Sequence, residues 1–184
     1  MVGFPSAATR FGFTPLLFLG GGWRDDALRS WLAPLVSAFI ERSFLSGTLN
    51  IVFLLIAGRF VEKVVRPVGI AVLFVAGAYA GALARLVLTP YSIMPSAGLD
   101  PSVFALIGAY FVLYGIPAAI PIAPGRSRAV KIVVLAGLWV LFQLAFSAAV
   151  QHFELSVTII APLGGLIAGC ALARPLLAWT YRKA

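Results

Sequence analysis

The chain alternates between long apolar runs and short polar breaks, and this pattern predicts helices that cross a bilayer. A bilayer core of about 30 Å requires roughly 20 apolar residues in a helix. Five runs meet that length, and the Arg66-Pro67 pair separates the first from the second; they cover residues 44–65, 68–88, 101–120, 130–150 and 155–179. We therefore expect an all-α integral membrane protein with about five transmembrane helices.

The first 43 residues contain only two apolar runs, and both are too short to cross. Residues 14–22 end in three glycines, and residues 31–40 are interrupted by Pro34. Runs of this length are typical of interfacial or re-entrant pieces, and the ring of Trp31 suits the headgroup zone. We expect residues 1–43 to form an extracytoplasmic or interfacial segment and residues 44–181 to form the transmembrane bundle.

The composition agrees with a lipid environment and argues against nucleic-acid binding. Hydrophobic residues make up 61% of the 184 residues and charged residues only 11%, whereas soluble domains carry about 25% charged residues. So few charges do not cover the surface of a water-soluble domain. The net charge of +8 does not indicate nucleic acid, because the charges fall in the breaks between apolar runs.

The positive charges also predict the orientation. They follow the first span, lie between the third and fourth spans, and end the chain: Arg59, Lys63, Arg66, Arg126, Arg128, Lys131, Arg182 and Lys183. The alternate loops, 89–100 and 151–154, contain no Lys or Arg. Because cytoplasmic loops carry the excess of positive residues, we expect the N-terminus outside and the C-terminus in the cytoplasm. Three arginines in the N-terminal segment run against the rule.

Two pairs of glycines have the spacing that lets helix backbones approach closely in lipid. Gly77 and Gly81 lie in the second span, and Gly165 and Gly169 lie in the fifth. We take these four residues as candidate helix-packing positions within one bundle, with a dimer interface as the alternative.

Three stretches of the chain resemble the rhomboid family of intramembrane serine proteases. Phe39–Glu62 (FIERSFLSGTLNIVFLLIAGRFVE) resembles the family's second helix, Gly98–Tyr110 (GLDPSVFALIGAY) its fourth and Ala161–Gly169 (APLGGLIAG) its sixth. The resemblance covers about Trp31 to Leu177. It implies a rhomboid-like bundle that lacks the family's first helix.

The resemblance also implies which residues would be catalytic, and most of them are missing. A rhomboid uses a serine nucleophile activated by a histidine; the serine position holds Asp100 and the histidine position holds Pro162. The family's oxyanion helpers correspond to Asn50 and Ser46, of which only the asparagine is kept. The arginine of the family's Trp-Arg pair is Leu32.

Other residues do not replace the lost pair in an evident way. Ser102 lies two residues past Asp100 and therefore points about 200° away on a helix. His152 is predicted in a loop, away from Pro162. Two carboxylates that share a proton can act in catalysis. Glu41 and Glu154 are the nearest candidates to pair with Asp100, but their spacing in the sequence does not favour such a pair.

The substituted residues have structural interpretations. Asp100 followed by Pro101 is typical of a helix start, with aspartate as N-cap and proline as the first helical residue. Pro162 is expected to kink the fifth span. Arg85, near the outer end of the second span, is expected to extend to the headgroups. Cys170 has no partner for a metal site or disulfide, and we expect no metal or cofactor.

The leading hypothesis is a catalytically inactive rhomboid-like pseudoprotease that binds transmembrane helices of partner or client proteins in a lipid bilayer, with no nucleic acid. A version of it is an accessory subunit of a larger complex in a bacterial inner membrane. The alternative is a rhomboid-family intramembrane serine protease with an unconventional site. A small transporter or channel ranks last, because it requires paired ionisable groups or broken helices near the midplane.

Overall fold

The computed structural model describes residues 9–41, 44–115, 125–127, 129–138, 141 and 159–182. Three short helical pieces, Pro15–Leu17, the π-helical Phe18–Gly22 and Trp23–Asp25, precede the first longer helix. Among the described residues the longer helices are α1 (Ala27–Ala38), α2 (Phe44–Leu88), α3 (Asp100–Leu113), α4 (Ala129–Leu138) and α5 (Ala161–Arg182). These residues contain no β-strand beyond one isolated bridge, and the prediction of an all-α fold is confirmed.

Helix α2 is bent in the middle. Arg66 has φ 62° and ψ 171°, the one positive φ of a non-glycine residue in the described part of the chain. Pro67 accounts for the departure from helical geometry, because a proline disfavours the helical region for the preceding residue; it does not account for the sign of φ. The bend divides α2 into a first arm (44–65) and a second arm (67–88), at the pair that separates the first two predicted spans.

Among the described residues, two helices are long and apolar enough to cross a membrane, Ser46–Leu88 with a mean hydropathy of 2.0 and Ala161–Arg182 with 1.4. Helices α3 and α4 cover part of the third and fourth predicted spans. The remainder of those spans, together with the start of the fifth, lies outside the described residues. The count of five spans and the orientation therefore stay predictions.

Helix α3 lies between α2 and α5. Its buried Leu106 and Ala109 join Val61 and Leu73 of α2 and Ala173 of α5 in one hydrophobic core. This apolar core, shared by three helices, holds α3 in place. It thereby also positions the residues at the start of α3.

The four candidate packing glycines all lie against α3 or its start. A Cβ added at Gly165 would overlap the carbonyl oxygen of Pro101, and one at Gly169 would overlap that of Ala105. From α2, a Cβ at Gly77 would lie 2.7 Å from the Pro101 carbonyl oxygen, and one at Gly81 would lie 2.7 Å from the Cβ of Pro101. Glycine at these positions therefore lets the three backbones approach closely.

The N-terminal segment pairs with the loop after α2. The Phe13 amide donates to the Ser96 carbonyl at 3.2 Å, and the Ser96 amide donates back at 2.7 Å. The Phe13 ring is buried and meets the Phe18 ring at 5.7 Å, which in turn meets Trp31 at 5.5 Å. These contacts bring the N-terminal segment, the loop and α1 to one end of the bundle.

Arg85 connects the same parts, and the prediction that it extends to the headgroups is wrong. Its side chain is 0% exposed. The guanidinium donates to the Met94 carbonyl at 2.8 Å, the Ser92 hydroxyl at 3.1 Å and the Phe13 carbonyl at 3.4 Å. The loop and the N-terminal segment supply these acceptors inside the protein. The guanidinium therefore finds hydrogen-bond acceptors without reaching the lipid headgroups.

Candidate functional site

The two residues at the positions of the family's catalytic pair lie at the starts of adjacent helices. Asp100 is the first residue of α3 and Pro162 the second residue of α5. Gly81 of α2 lies between these helix starts: a Cβ there would lie 2.7 Å from the Cβ of Pro101 and 3.0 Å from the Ala161 carbonyl oxygen. The fold thus brings the two positions to the same end of the bundle.

Asp100 takes part in a hydrogen-bonded group that we call the Glu41–Asn50–Asp100 cluster. The Nδ2 of Asn50 donates to the Asp100 Oδ1 at 3.2 Å and to the Glu41 Oε1 at 3.1 Å. The same Glu41 oxygen accepts from the Leu99 amide at 3.0 Å. The cluster therefore joins the segment after α1, the first arm of α2 and the start of α3.

The cluster leaves Asn50 with no spare amide hydrogen. A side-chain amide carries two N–H donors, and both are directed at carboxylate oxygens. Asn50 is only 5% exposed. Its amide is therefore occupied as a cross-link, whereas an oxyanion helper requires a donor directed at the reacting oxygen.

Glu41 contributes a second buried oxygen. Its Oε2 is shielded from solvent and has no hydrogen-bond partner among the described residues. A Cβ added at Gly98 would lie 3.7 Å from this oxygen and 2.7 Å from the Asp100 Oδ2. Gly98 has φ 124°, which other residues rarely adopt, so the turn leaves room for both carboxylates.

The prediction that Asp100 is the N-cap of its helix is wrong by one position. Leu99 occupies the N-cap, without a side-chain cap, and Asp100 is already helical. The first helical bond runs from the Val103 amide to the Leu99 carbonyl at 3.0 Å. The Asp100 carboxylate accepts instead from Asn50 of a neighbouring helix, and its position in the first turn is favourable for a negative charge.

Pro162 is fully buried and has no group that could transfer a proton. Helical backbone precedes it, because residues 159 and 160 are π-helical and lead directly into Ala161–Arg182. The start of the fifth predicted span lies outside the described residues, and the kink expected at Pro162 stays a prediction.

The remaining candidate nucleophiles have structural partners. The Ser102 side chain is buried, and its hydroxyl donates to the Phe74 carbonyl at 2.8 Å, toward the second arm of α2. The Cys170 sulfur lies 3.6 Å from the Gly108 carbonyl oxygen. Ser46 is half-buried, one turn before Asn50. His152 and Glu154 lie outside the described residues.

In the described part of the chain no three His, Cys, Asp or Glu side chains come together as metal ligands. Sequence reasoning named Glu41 as a candidate to accompany Asp100 but missed that Asn50 would bridge the two carboxylates. The available signal was that Glu41 stands at a position where the family often has histidine, close to the active site.

A comparison with protein-family models matches the rhomboid domain over residues 29–179. This match covers most of the chain and includes α1 through most of α5. The chain belongs to the rhomboid family, and with its apolar helices it is a rhomboid-like membrane protein. Comparison with curated proteins and with solved structures gave no match.

Proposed function

We propose that this rhomboid-family protein is a non-catalytic pseudoprotease that binds transmembrane helices of partner or client proteins. The observation that carries the proposal is the Glu41–Asn50–Asp100 cluster, which occupies the region where the family's nucleophile and oxyanion helper are found.

The chemistry of the cluster supports a non-catalytic role. Peptide cleavage by a rhomboid requires a nucleophile, a base within hydrogen-bond reach and donors for the oxyanion. Asp100 is a carboxylate engaged by Asn50, and Pro162 offers no proton acceptor. Asn50 directs both amide hydrogens at carboxylates. At the family's positions, therefore, no residue is left to act as nucleophile, as base or as oxyanion donor.

The partner-binding half of the proposal is supported by an apolar ridge on the first arm of α2. Leu49, Phe53 and Ile56 follow each other at helical spacing and are 48%, 48% and 55% exposed. Helices associate in lipid through close packing of such surfaces. The partner would be a transmembrane helix, and a stable partner would make the protein an accessory subunit of a complex in a bacterial inner membrane.

A serine-directed fluorophosphonate probe tests the non-catalytic half. We expect no labelled band from the purified protein in mild detergent or in liposomes, with an active rhomboid labelled in parallel. A band that disappears in Ser102→Ala would contradict the proposal, because it would reveal a working serine.

Photo-crosslinking tests the partner-binding half. A photoreactive amino acid at Phe53, on the ridge, is expected to capture a transmembrane peptide of another protein in a constant ratio. The same amino acid at Ile167 of α5, which is 69% exposed on another helix, serves as control. If both positions formed adducts only with lipid, the proposal of partner binding would be wrong.

The alternative function is proteolysis by a carboxylate pair, and one observation favours it. Glu41 and Asp100 both accept from the same Asn50 amide, and two nearby carboxylates can divide the roles of acid and base. Cleavage that is lost in both Glu41→Gln and Asp100→Asn would establish this alternative.

A further inference from the structure

An open apolar groove of about 610 Å³ lies between α1 and the two arms of α2. Its walls include Leu54 and Leu55 of the first arm and Ile70 and Phe74 of the second arm. Its volume falls in the range of roughly 300–1,000 Å³ that is typical of sites for small molecules. The groove is separate from the Glu41–Asn50–Asp100 cluster, none of whose members lines it.

Two opposite charges belong to the lining of the groove. Arg59 and Glu62 are the charged residues in its lining, and both are exposed. Residues three apart on a helix have Cβ atoms about 5–6 Å apart. Within the part of the chain that the structure describes, neither side chain has a hydrogen bond or ion pair with another residue.

We propose that the groove binds a phospholipid with a primary-amine headgroup, of the phosphatidylethanolamine class. The lipid phosphate accepts from the Arg59 guanidinium, and the ammonium group donates to the Glu62 carboxylate. One acyl chain lies along the apolar wall. Arg59 and Glu62 stand near the end of the first arm of α2, 44–65, where a spanning helix reaches the level of the headgroups.

The pair of charges selects this headgroup over other common ones. Phosphatidylglycerol offers a phosphate for Arg59 but leaves Glu62 facing an uncharged alcohol. Phosphatidylcholine carries a cation without an N–H, so it makes no charge-assisted hydrogen bond to Glu62. Such bonds are roughly twice as strong as neutral ones. The proposal is independent of the pseudoprotease function, since it uses none of the cluster residues.

The test is lipid retention by the purified protein. The protein is reconstituted in vesicles of phosphatidylethanolamine, phosphatidylglycerol and phosphatidylcholine in equal parts, extracted in mild detergent, and its bound lipids are counted by native mass spectrometry. We expect about one retained phosphatidylethanolamine per chain.

Arg59→Ala should weaken retention of every phospholipid about tenfold, and Glu62→Gln should remove the preference for the amine headgroup, since a charge-assisted bond is worth about 1.4 kcal/mol or more.

Two further variants guard against a folding defect or a general charge effect. Gly58 lines the groove, and a Cβ there meets nothing within 4 Å. Gly58→Leu should therefore fill the groove and displace the lipid while the charges stay. Arg126→Ala removes an exposed positive charge outside the groove and should leave retention unchanged.

Equal retention in the wild type, Arg59→Ala and Gly58→Leu would overturn the proposal. A second result would also overturn it. A photoreactive amino acid at Leu55 would capture a protein helix in cells, and Gly58→Leu would abolish that capture without changing lipid retention. That second result would assign the groove to a partner helix.

Discussion

At the scale of single residues, Asn50 connects the first arm of α2 to the segment after α1 and to the start of α3. Its amide satisfies one oxygen each of Glu41 and Asp100. A hydrogen bond to a charged group contributes about 1.5–3 kcal/mol, and removing one partner leaves the other buried group without compensation. The residue that resembles an oxyanion helper therefore acts here as a structural cross-link.

Asn50→Ala should lower the free energy of unfolding by about 2 kcal/mol or more, because two carboxylates lose their shared donor. Thermal or denaturant unfolding in mixed micelles measures the change. Thr48→Ala is the matched control, since the exposed Thr48 hydroxyl only donates to the Phe44 carbonyl of its own helix. Equal losses in the two variants would show that the cross-link contributes nothing.

Arg85 plays the corresponding part for the N-terminal segment. Arg85→Ala should expose that segment, so that trypsin cleaves at Arg24 about tenfold faster, as expected when a local opening becomes easier by about 1.4 kcal/mol. Arg174→Ala, at an exposed position on α5, should leave the rate unchanged. Unaltered cleavage in Arg85→Ala would mean that the segment is held by its apolar contacts alone.

At the scale of helices, the close approach of α2, α3 and α5 depends on glycine. Gly165→Ala and Gly169→Ala should each destabilise the protein by about 1–3 kcal/mol, because the added methyl group overlaps a backbone carbonyl of α3. Unfolding in micelles measures this. The control is Gly137→Ala in α4, where a Cβ meets nothing within 4 Å, and which should be neutral or slightly stabilising.

If Gly165→Ala and Gly169→Ala were both as stable as the wild type, the close approach of α3 and α5 would contribute nothing to the stability of the protein. In that case the glycine spacing would have no role in packing, and the contact between α3 and α5 would rest on the apolar core alone.

The helices were the part of the fold most accessible from the sequence. Apolar runs of spanning length and the Arg66-Pro67 pair were enough to place α2 and its bend. The partners of Arg85 and Asn50 were not accessible, because the loop conformation decides the nearer ones and the tertiary fold brings in the distant ones, Phe13 and Asp100. For the same reason the N-cap at Leu99 was missed: Asp100 has the chemistry of a cap, but Asn50 offers its carboxylate a different partner.

At the scale of the whole molecule, the apolar runs predict five spans, and the distribution of positive residues predicts that the N-terminus lies outside. A variant with Cys170 replaced by Ala and one new cysteine tests this in intact cells. Tyr91→Cys, which is exposed in the loop after α2, should react with a membrane-impermeant maleimide. Arg126→Cys should react only after the membrane is opened. The reverse pattern would invert the orientation.

The central claim is that the Glu41–Asn50–Asp100 cluster has replaced the family's catalytic site. The most direct measurement is cleavage of a transmembrane substrate by the purified protein in liposomes, with an active rhomboid as positive control and with Asp100→Asn and Glu41→Gln in parallel. We expect no cleavage by the wild type or by either variant. Cleavage by the wild type that is lost in Asp100→Asn would contradict it and would make the carboxylate pair a catalytic site.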